Sequence, residues 1–270
     1  MQNLSKKYRL RPSKKLGQNF LIDKRAIKKV IKAAHLKTKD IVLEIGPGLG
    51  ALTKELAKKS KKVIAIEKDP NLARILNNEL RIKNIKNVEI IQGDILKILN
   101  PKTIIHNSYK VVGNLPFYLT APVIRKFLES GPPKEMILIV QKEVGQRICA
   151  RPPDMSLLSV SVQFYAKPEV VSYIPKKSFW PPPKVDSAII RINPKINKTR
   201  KINSRRFFKV VRAGFSHPRK QLINNLSESL KIERGKIKNW LLKNNIHPER
   251  RAETLSIENW LLLAKSLPYS

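Results

Sequence analysis

Residues 43–53 read LEIGPGLGALT, a stretch with three alternating glycines, Gly46, Gly48 and Gly50. The apolar run IVLEI (41–45) leads into the glycines, and a helical pattern begins at Ala51. Glycines in such a turn let the backbone approach a ligand closely, and the start of the next helix favours an anionic or carboxylate group. The stretch predicts a strand–turn–helix unit that binds a ligand, although an ordinary tight turn has a similar composition.

Short apolar runs and helical patterns alternate on both sides of this turn. The strand-like runs that follow are VIAIE (63–67), VEII (88–91), KVVGN (110–114) and MILIV (136–140). Helical patterns begin near residue 24 and at Ala51, Pro70 and Ala121. This alternation predicts an α/β fold with a parallel sheet covered on both faces. Three later strands are expected, VSVQFYA (160–166), EVVSYI (169–174) and VDSAIIRI (185–192), the last two as an antiparallel edge hairpin.

A second, helical domain is predicted beyond the apolar-poor segment NPKINKTRKINS (193–204). Four helical patterns follow it, at 205–215, 217–230, 235–244 and 257–267. Residues 195–270 carry eighteen basic and five acidic side chains. We therefore predict an α/β domain over residues 1–195, with a basic N-terminal arm, and a small basic all-helical domain over residues 204–270.

The charge of the chain indicates a polyanionic partner. Fifty-five Lys and Arg residues against twenty Asp and Glu give a formal net charge of +35, of which a lysine-rich genome would explain a part. Nucleic acid is the first candidate, ahead of an anionic membrane surface. Cys149 is the only cysteine, which excludes intrachain disulfides and a multi-cysteine zinc site. With no apolar run longer than 136–140, we expect a cytoplasmic, monomeric protein that is not bound to a membrane.

Two acidic residues narrow the choice of ligand classes that the glycine turn could bind. Glu67 ends the second strand, where a carboxylate accepts hydrogen bonds from both hydroxyl groups of a ribose. This position favours NAD or S-adenosylmethionine over a ligand bound only through phosphate. Asp94, in IIQGDIL, is placed to accept a hydrogen bond from an adenine amino group, and a helix N-cap is the alternative interpretation.

Residues 113–118, GNLPFY, follow the fourth strand and favour one chemistry. The Asn114 side chain and the Leu115 carbonyl can both accept hydrogen bonds from an exocyclic amino group, while Phe117 stacks on the attached ring. Pro116 stiffens the turn that holds them. An aromatic amine is a poor nucleophile, so such a site relies on positioning and electrostatics rather than on a strong base. The arrangement suits methyl transfer to a nucleobase amine, although an isolated Asn here would more often form a turn.

The motifs along the chain resemble those of the KsgA-type small-subunit ribosomal RNA adenine N6,N6-dimethyltransferase family. The resemblance runs nearly from end to end. It is carried by LGQNFL (16–21), EIGPGLG (44–50), NLPF (114–117), QKEV (141–144), FWPPPKVDSA (179–188), RAGFSHPRKQLINNL (212–226) and RAETLS (251–256). The sequence departs from the family at PPDMSLLSV (152–160) and has Phe117 where many members have Tyr.

The resemblance implies a Class I (Rossmann-like) methyltransferase sheet and S-adenosylmethionine as methyl donor, without a metal. The implied substrate is a pair of adjacent adenosines in a hairpin loop near the 3′ end of small-subunit ribosomal RNA, with a role in subunit biogenesis. The implied cofactor contacts are Asn19, Leu21, Gly46, Glu67, Asp94 and Asn114. The implied catalytic set is Asn114, Leu115, Phe117 and Phe179, in which the two phenylalanines sandwich the target adenine. Ordinary packing is the alternative interpretation for Phe179.

In the helical domain we predict an RNA-backbone contact surface. It consists of Arg205, Arg206, Arg212, Arg219 and Lys220, any one of which could instead be a solvated surface charge. Trp240 and Trp260 are expected in the core, and Ser216 is expected to cap a helix that begins near His217.

Three other functions remain possible from the sequence. The nearest is a resistance-type methyltransferase for large-subunit RNA, which shares the cofactor fold. A DNA adenine methyltransferase and a ribosome-assembly factor in which methylation is secondary are the other two.

Overall fold

The chain folds into two compact units in this computed structural model, which describes residues 8–97, 108–195 and 203–268. The first unit consists of residues 1–145 and 168–194, and the second of residues 146–167 and 195–270. The predicted domain boundary assigned residues 146–167 to the α/β domain. The structure instead groups them with the helical unit, because Met155, Val160 and Phe164 are part of its buried core.

Seven strands form the main sheet of the first unit, in the order β4-β3-β2-β5-β6-β9-β7. They are β2 (Ile41–Ile45), β3 (Lys62–Glu67), β4 (Val88–Gln92), β5 (Tyr109–Asn114), β6 (Glu135–Gln141), β7 (Ala166–Ile174) and β9 (Ser187–Pro194). The pairings from β4 through β6 are parallel, and β9 pairs antiparallel to β6. The predicted mixed Rossmann-like sheet is therefore confirmed. Strands β7 and β9 are neighbours at one edge, as expected.

The strand order places a switch point between β2 and β5. From β2 the chain continues to β3 on one side, and β5 later pairs with β2 on the other side. A crevice forms beyond the carboxyl ends of the strands at such a point, and ligands of open α/β sheets bind there. Ile45 is in register with Gly113, so the glycine turn and Asn114 leave the sheet side by side.

Five helices, α1 (Lys24–Ala33), α2 (Ala51–Ala57), α3 (Pro70–Ile82), α4 (Thr120–Ser130) and α5 (Lys142–Cys149), follow strands of this unit. Asp23 and Asp69 cap α1 and α3 by accepting hydrogen bonds from backbone N–H groups of the first turn. A short antiparallel ribbon of β1 (Phe20–Leu21) and β8 (Phe179–Trp180) lies beside the main sheet. Its Leu21 and Phe179 belong to the same buried cluster as β2, β3 and β6.

The second unit is helical, with α6 (Leu157–Tyr165), α7 (Ser204–Gly214), α8 (Leu222–Leu230), α9 (Arg234–Lys243) and α10 (Ile257–Lys265). The prediction of a strand over residues 160–166 is wrong. Ser156 forms a capping box with Ser159, and Leu157, Val160 and Phe164 fall at helical spacing, so α6 forms instead. Trp240 and Trp260 are buried in the core of this unit, as predicted.

The loop between α7 and α8 is longer than the sequence suggested. The helix begins at Leu222 rather than near His217, so Ser216 is not its cap. Asn225, which is fully buried, donates hydrogen bonds to the carbonyls of Gly214 and His217 and accepts one from the Ser216 hydroxyl. These bonds hold the loop that carries Arg219 and Lys220. Among the described residues, no helix combines the length and apolar composition needed to cross a lipid bilayer.

Gly214 tests how tightly the helical unit is packed. A Cβ atom at this position would lie 2.3 Å from Cη2 of the buried Trp260. We expect Gly214→Ala to destabilise the unit by about 1–3 kcal/mol, because the indole has no room to move away. Differential scanning calorimetry should show a lower midpoint for the helical unit. Gly235→Ala in α9 is the control, since its Cβ would meet only the exposed, flexible Glu233 side chain. An equal loss in both variants would contradict the prediction.

Candidate active site

A cleft opens beyond the carboxyl ends of β2, β3 and β5, at the switch point of the sheet. The structure brings most of the predicted site residues together there. Those that line the cleft are Asn19, Leu21, Gly46, Glu67, Asp94, Asn114, Leu115 and Phe179. No group of three or more His, Cys, Asp or Glu side chains in the described part of the chain is arranged to hold a metal ion.

The glycine turn forms the floor of the cleft. Gly46, Gly48 and Gly50 all have positive φ angles, of 67°, 55° and 75°, which residues with a Cβ rarely adopt. A Cβ on Gly48 would lie 2.9 Å from the Phe20 ring, and one on Gly50 would lie 2.4 Å from Leu76 Cδ1. All three glycines are therefore needed for the backbone conformation, and Gly48 and Gly50 also for space. Ligand binding by this turn stays a prediction.

Glu67 is fixed at the end of β3. One carboxylate oxygen accepts a hydrogen bond from the Gly48 N–H at 3.0 Å, and the other accepts one from the Asp69 N–H at 2.9 Å. The side chain is 7% exposed, and burial raises its pKa above the usual range. The backbone of the glycine turn thus orients this carboxylate along the wall of the cleft.

Asp94 makes the local hydrogen bond of a capping residue, and its contact with an adenine amino group stays a prediction. Its Oδ1 accepts a hydrogen bond from the Leu96 N–H at 3.0 Å, as a capping residue would. Its Oδ2 lies 2.9 Å from Lys68 Nζ, and that hydrogen bond is the main reason why the pKa of Asp94 is lowered. Asp94 is therefore a charged acceptor at the rim of the cleft, held in place by a local turn and an ion pair.

Glu44 is a second buried acid of the cleft. Its position before the glycines supports ligand binding by the turn, but it was not among the predicted cofactor contacts. It lies in β2 two residues before Gly46 and is 1% exposed, with Oε2 unpaired among the described residues. Burial, with a contribution from the negative charge of Glu67, raises its pKa to about 8. An acid inside a strand that is apolar on both faces was the signal available in the sequence.

Asn114, the last residue of β5, is held by the segment that precedes β1. Its Nδ2 donates a hydrogen bond to the Asn19 carbonyl at 2.8 Å. Asn19 in turn donates from its own Nδ2 to the Gly17 carbonyl at 3.2 Å. The Asn114 amide is thus locked through its nitrogen, while its Oδ1 accepts no hydrogen bond from the described residues. A polar acceptor of fixed orientation results at the mouth of the switch point.

The turn after Asn114 is anchored to the sheet. The Leu115 N–H donates to the Ile139 carbonyl of β6 at 3.1 Å, and Phe117–Leu119 form a short 3₁₀ helix. The side chain of Phe117 lies outside the described residues, so its stacking role stays a prediction. Phe179 lines the cleft but is only 3% exposed and packs in the core, which agrees with the alternative interpretation of its role.

Tyr118 is an aromatic residue that lines the cleft and was not among the predicted site residues. Its side chain is 52% exposed while it lines the cleft, close to Gly17. Asp94, with a smaller contribution from Tyr118, raises the pKa of Lys68, so the three side chains lie near one another. An exposed ring at the rim of a ligand cleft is available to stack on a planar partner.

The basic residues predicted to contact RNA differ in their surroundings within the helical unit. Arg205 and Arg212 are exposed two turns apart on α7, and Lys209, which was not predicted, extends the same face. Arg206 is half-buried and donates a hydrogen bond to the Leu267 carbonyl, which commits it at least partly to packing.

The other two predicted residues lie in the loop before α8. Arg219 is exposed there, and so is Lys220, which forms an ion pair with Glu228 at 2.9 Å. The i, i+4, i+7 spacing of residues 205, 209 and 212 was the signal for the stripe on α7.

Comparison with known proteins agrees with this geometry. The family model for ribosomal RNA adenine dimethylase matches residues 9–268. A ribosomal RNA small subunit methyltransferase A from Dehalococcoides mccartyi strain CBDB1 is 45% identical, over 92% of this chain and 86% of that protein.

Two crystal structures share the fold over 92% of this chain. A dimethyladenosine transferase from Plasmodium falciparum has a TM-score of 0.77 and 29% identity over 98% of its chain. The 23S rRNA methyltransferase ErmE has a TM-score of 0.75 and 27% identity over 99% of its chain. Together with the family match, these similarities show that the chain belongs to the ribosomal RNA adenine dimethylase family.

Proposed function

We propose that this protein dimethylates the N6 amino groups of two adjacent adenosines in a hairpin loop near the 3′ end of small-subunit ribosomal RNA. The observation that carries the proposal is the Asn114 amide, fixed through Nδ2 by the Asn19 carbonyl and open at Oδ1. Family membership supports the reaction, and the 45% identical relative, whose name refers to the small subunit, supports the substrate. A role in subunit biogenesis is part of the same proposal.

S-adenosylmethionine is the methyl donor that fits the cleft. When bound, it supplies an electrophilic methyl group. Glu67, already oriented by two backbone N–H groups, would accept hydrogen bonds from its ribose hydroxyls. Asp94, held ionised by Lys68, would accept one from its adenine amino group. Gly46 leaves the backbone open, and the buried Oε2 of Glu44, which has no hydrogen-bond partner among the described residues, offers a further polar atom to a ligand.

The residues of the turn would position the target amine rather than deprotonate it. The Asn114 Oδ1 and the Leu115 carbonyl would accept hydrogen bonds from the two amino protons. Both acceptors sit on a backbone anchored to β6, so little reorganisation is needed when the base arrives. Phe117 would pack against one face of the ring, and Phe179 would contact it only where its buried ring borders the cleft. Leu21 would exclude water from the surrounding wall.

The helical unit would bind the folded RNA through its phosphates. The exposed stripe of Arg205, Lys209 and Arg212, with Arg219 and Lys220 in the following loop, supports this role. Such contacts follow the shape and backbone of an RNA rather than its sequence, and their strength falls steeply with salt. The predicted cytoplasmic location and monomeric state stay predictions.

The test of the function is nucleoside mass spectrometry of ribosomal RNA. Unmethylated small subunits and large-subunit RNA are incubated in parallel with the protein and S-adenosylmethionine. N6,N6-dimethyladenosine in the small-subunit RNA is the expected result. Methylation of the large-subunit RNA alone would favour the activity named for ErmE, to which the fold is also similar. Tight binding of small subunits without any methylation would favour an assembly factor.

Tyr118 is expected to contribute to binding of the RNA. Base–aromatic stacking is worth about 1–3 kcal/mol per base, so Tyr118→Ala should raise KM for the subunit roughly tenfold with little change in S-adenosylmethionine affinity. Tyr118→Phe keeps the ring and should behave like the wild type in steady-state assays. Tyr173→Ala is the control, because Tyr173 is similarly exposed, at 44%, but lies on β7 outside the cleft. An unchanged KM for Tyr118→Ala would contradict the stacking role.

A further inference from the structure

A second concave surface adjoins the cleft in the first unit. One side is the chain segment Tyr8–Pro12, and the other side is the start of α3, from Asp69 to Ile75. We call this surface the N-terminal groove. None of the roles assigned above to individual residues uses it.

Both sides of the N-terminal groove are fixed by side-chain hydrogen bonds. The Tyr8 hydroxyl donates to Glu79 Oε1 at 2.9 Å, which ties the start of the segment to α3. At the other end, Gln18 Nε2 donates to Asp69 Oδ2 at 2.9 Å. Between them Leu10 packs against the buried cluster that contains Phe20. The segment is therefore held against α3 at three points, and the groove is a built surface.

The groove carries an excess of unpaired positive charge. Arg9, Arg11 and Arg74 line it and are exposed, and within the described residues none of their side chains forms a hydrogen bond or an ion pair. Among the described residues that line the groove, Asp69 is the one carboxylate. It accepts hydrogen bonds from Gln18 and from backbone N–H groups at the start of α3. Three arginines against this one carboxylate leave the lining with a net positive charge.

The N-terminal groove is continuous with the cleft. Gln18, Phe20 and Leu72 line both surfaces. A nucleotide strand whose base entered the cleft would thus have its neighbouring phosphates within reach of the groove. Planar guanidinium groups without protein partners match phosphate oxygens in geometry and in charge.

We propose that the N-terminal groove binds the phosphodiester backbone of the RNA strand next to the target adenosine, through Arg9, Arg11 and Arg74. This inference rests on the proposed function, because it names the path of the strand whose base is methylated. It adds a contact in the first unit to the phosphate contacts proposed for the helical unit. The groove would align the strand before its base enters the cleft.

The test is the salt dependence of binding to unmethylated small subunits. The variant carries Arg9→Ala, Arg11→Ala and Arg74→Ala together. Three lost phosphate contacts should make the slope of log affinity against log salt shallower by about two units, and affinity at about 0.1 M salt should fall roughly a hundredfold. Affinity for S-adenosylmethionine should stay within about twofold of wild type, which shows that the cleft remains folded.

A variant of equal charge change is the control. Lys28, Lys32 and Arg81 are exposed in the same unit but line neither the cleft nor the groove, and all three are replaced by alanine. An equal loss in this control would overturn the proposal, because overall charge would then be the cause. If the wild-type protein methylates the subunits but the salt slope of the groove variant is unchanged, the proposed RNA-binding role of the groove is wrong and the proposed function stands. If the wild-type protein fails to methylate the subunits, both the proposed function and the proposed role of the groove are contradicted.

Discussion

Replacing Asn114 by alanine should lower kcat for adenine methylation by at least about a hundredfold, while affinity for S-adenosylmethionine changes less than about tenfold. The variant removes the Oδ1 acceptor proposed to fix the target amine. Loss of one preorganised hydrogen-bonding group at a reacting centre typically costs about two to three orders of magnitude in rate. It also removes the 2.8 Å bond to the Asn19 carbonyl, which loosens the wall of the cleft. Single-turnover kinetics on unmethylated subunits would measure the chemical step directly.

Asn87→Ala is the matched control for this experiment. Asn87 also holds backbone carbonyls through Nδ2, those of Ala57 and Ser60, but it lies outside the cleft. Its loss should reduce stability and leave kcat of the folded protein unchanged. A rate for Asn114→Ala within about threefold of wild type would show that this amide does not position the amine.

Replacing Glu44 by glutamine should stabilise the first unit at alkaline pH. Burial raises the pKa of Glu44 in the folded protein to about 8, against an ordinary value of 4.5. Between these values the folded state holds a proton that the unfolded state has released, so the free energy of unfolding of the wild type falls as pH rises from about 4.5 to about 8. Above that window the ionised carboxylate costs at most about 4 to 5 kcal/mol, a cost that glutamine avoids.

Calorimetry at about pH 5 and about pH 9 would test this expectation. The variant and the wild type should unfold at similar temperatures at the lower pH, where Glu44 is protonated, and the variant should be the more stable at the higher pH. Glu89→Gln on β4 is the control, because this side chain is exposed and should change stability by less than about 0.5 kcal/mol at either pH. Parallel pH profiles for Glu44→Gln and the wild type would refute the prediction.

The central strands of the sheet, β2, β3, β5 and β6, could be predicted because they are buried on both faces. Runs such as MILIV (136–140) have no helical period long enough to compete, and glycine turns or helix caps bound them. The prediction of a strand over residues 160–166 was wrong for a physical reason. Val160, Val162 and Phe164 alternate as in a strand, yet the capping box of Ser156 starts a helix that buries the same side chains. The secondary structure of short apolar segments is decided by their capping residues and by tertiary packing.

Site residues could be predicted where a motif lies at the end of a strand. Residues that reach the site only through the folded structure could not be predicted. The predicted residues lie at the ends of strands or directly after them, and parallel topology brings such positions to one edge. They are the glycine turn, Glu67, Asp94 and Asn114. Tyr118 was not recognised, because its place at the rim depends on the 3₁₀ turn after Pro116. The N-terminal groove was invisible for a similar reason, since Tyr8 and Glu79 are 71 residues apart in the chain.

The helical unit is not formed by the C-terminal part of the chain alone. Its core is completed by Met155, Val160 and Phe164, which the chain supplies before it returns to build β7 and β9. A fragment that starts at residue 204 would lack these side chains and expose the apolar surface they cover. Grafting this unit between related enzymes would therefore require both segments, residues 146–167 and 195–270, to be exchanged together.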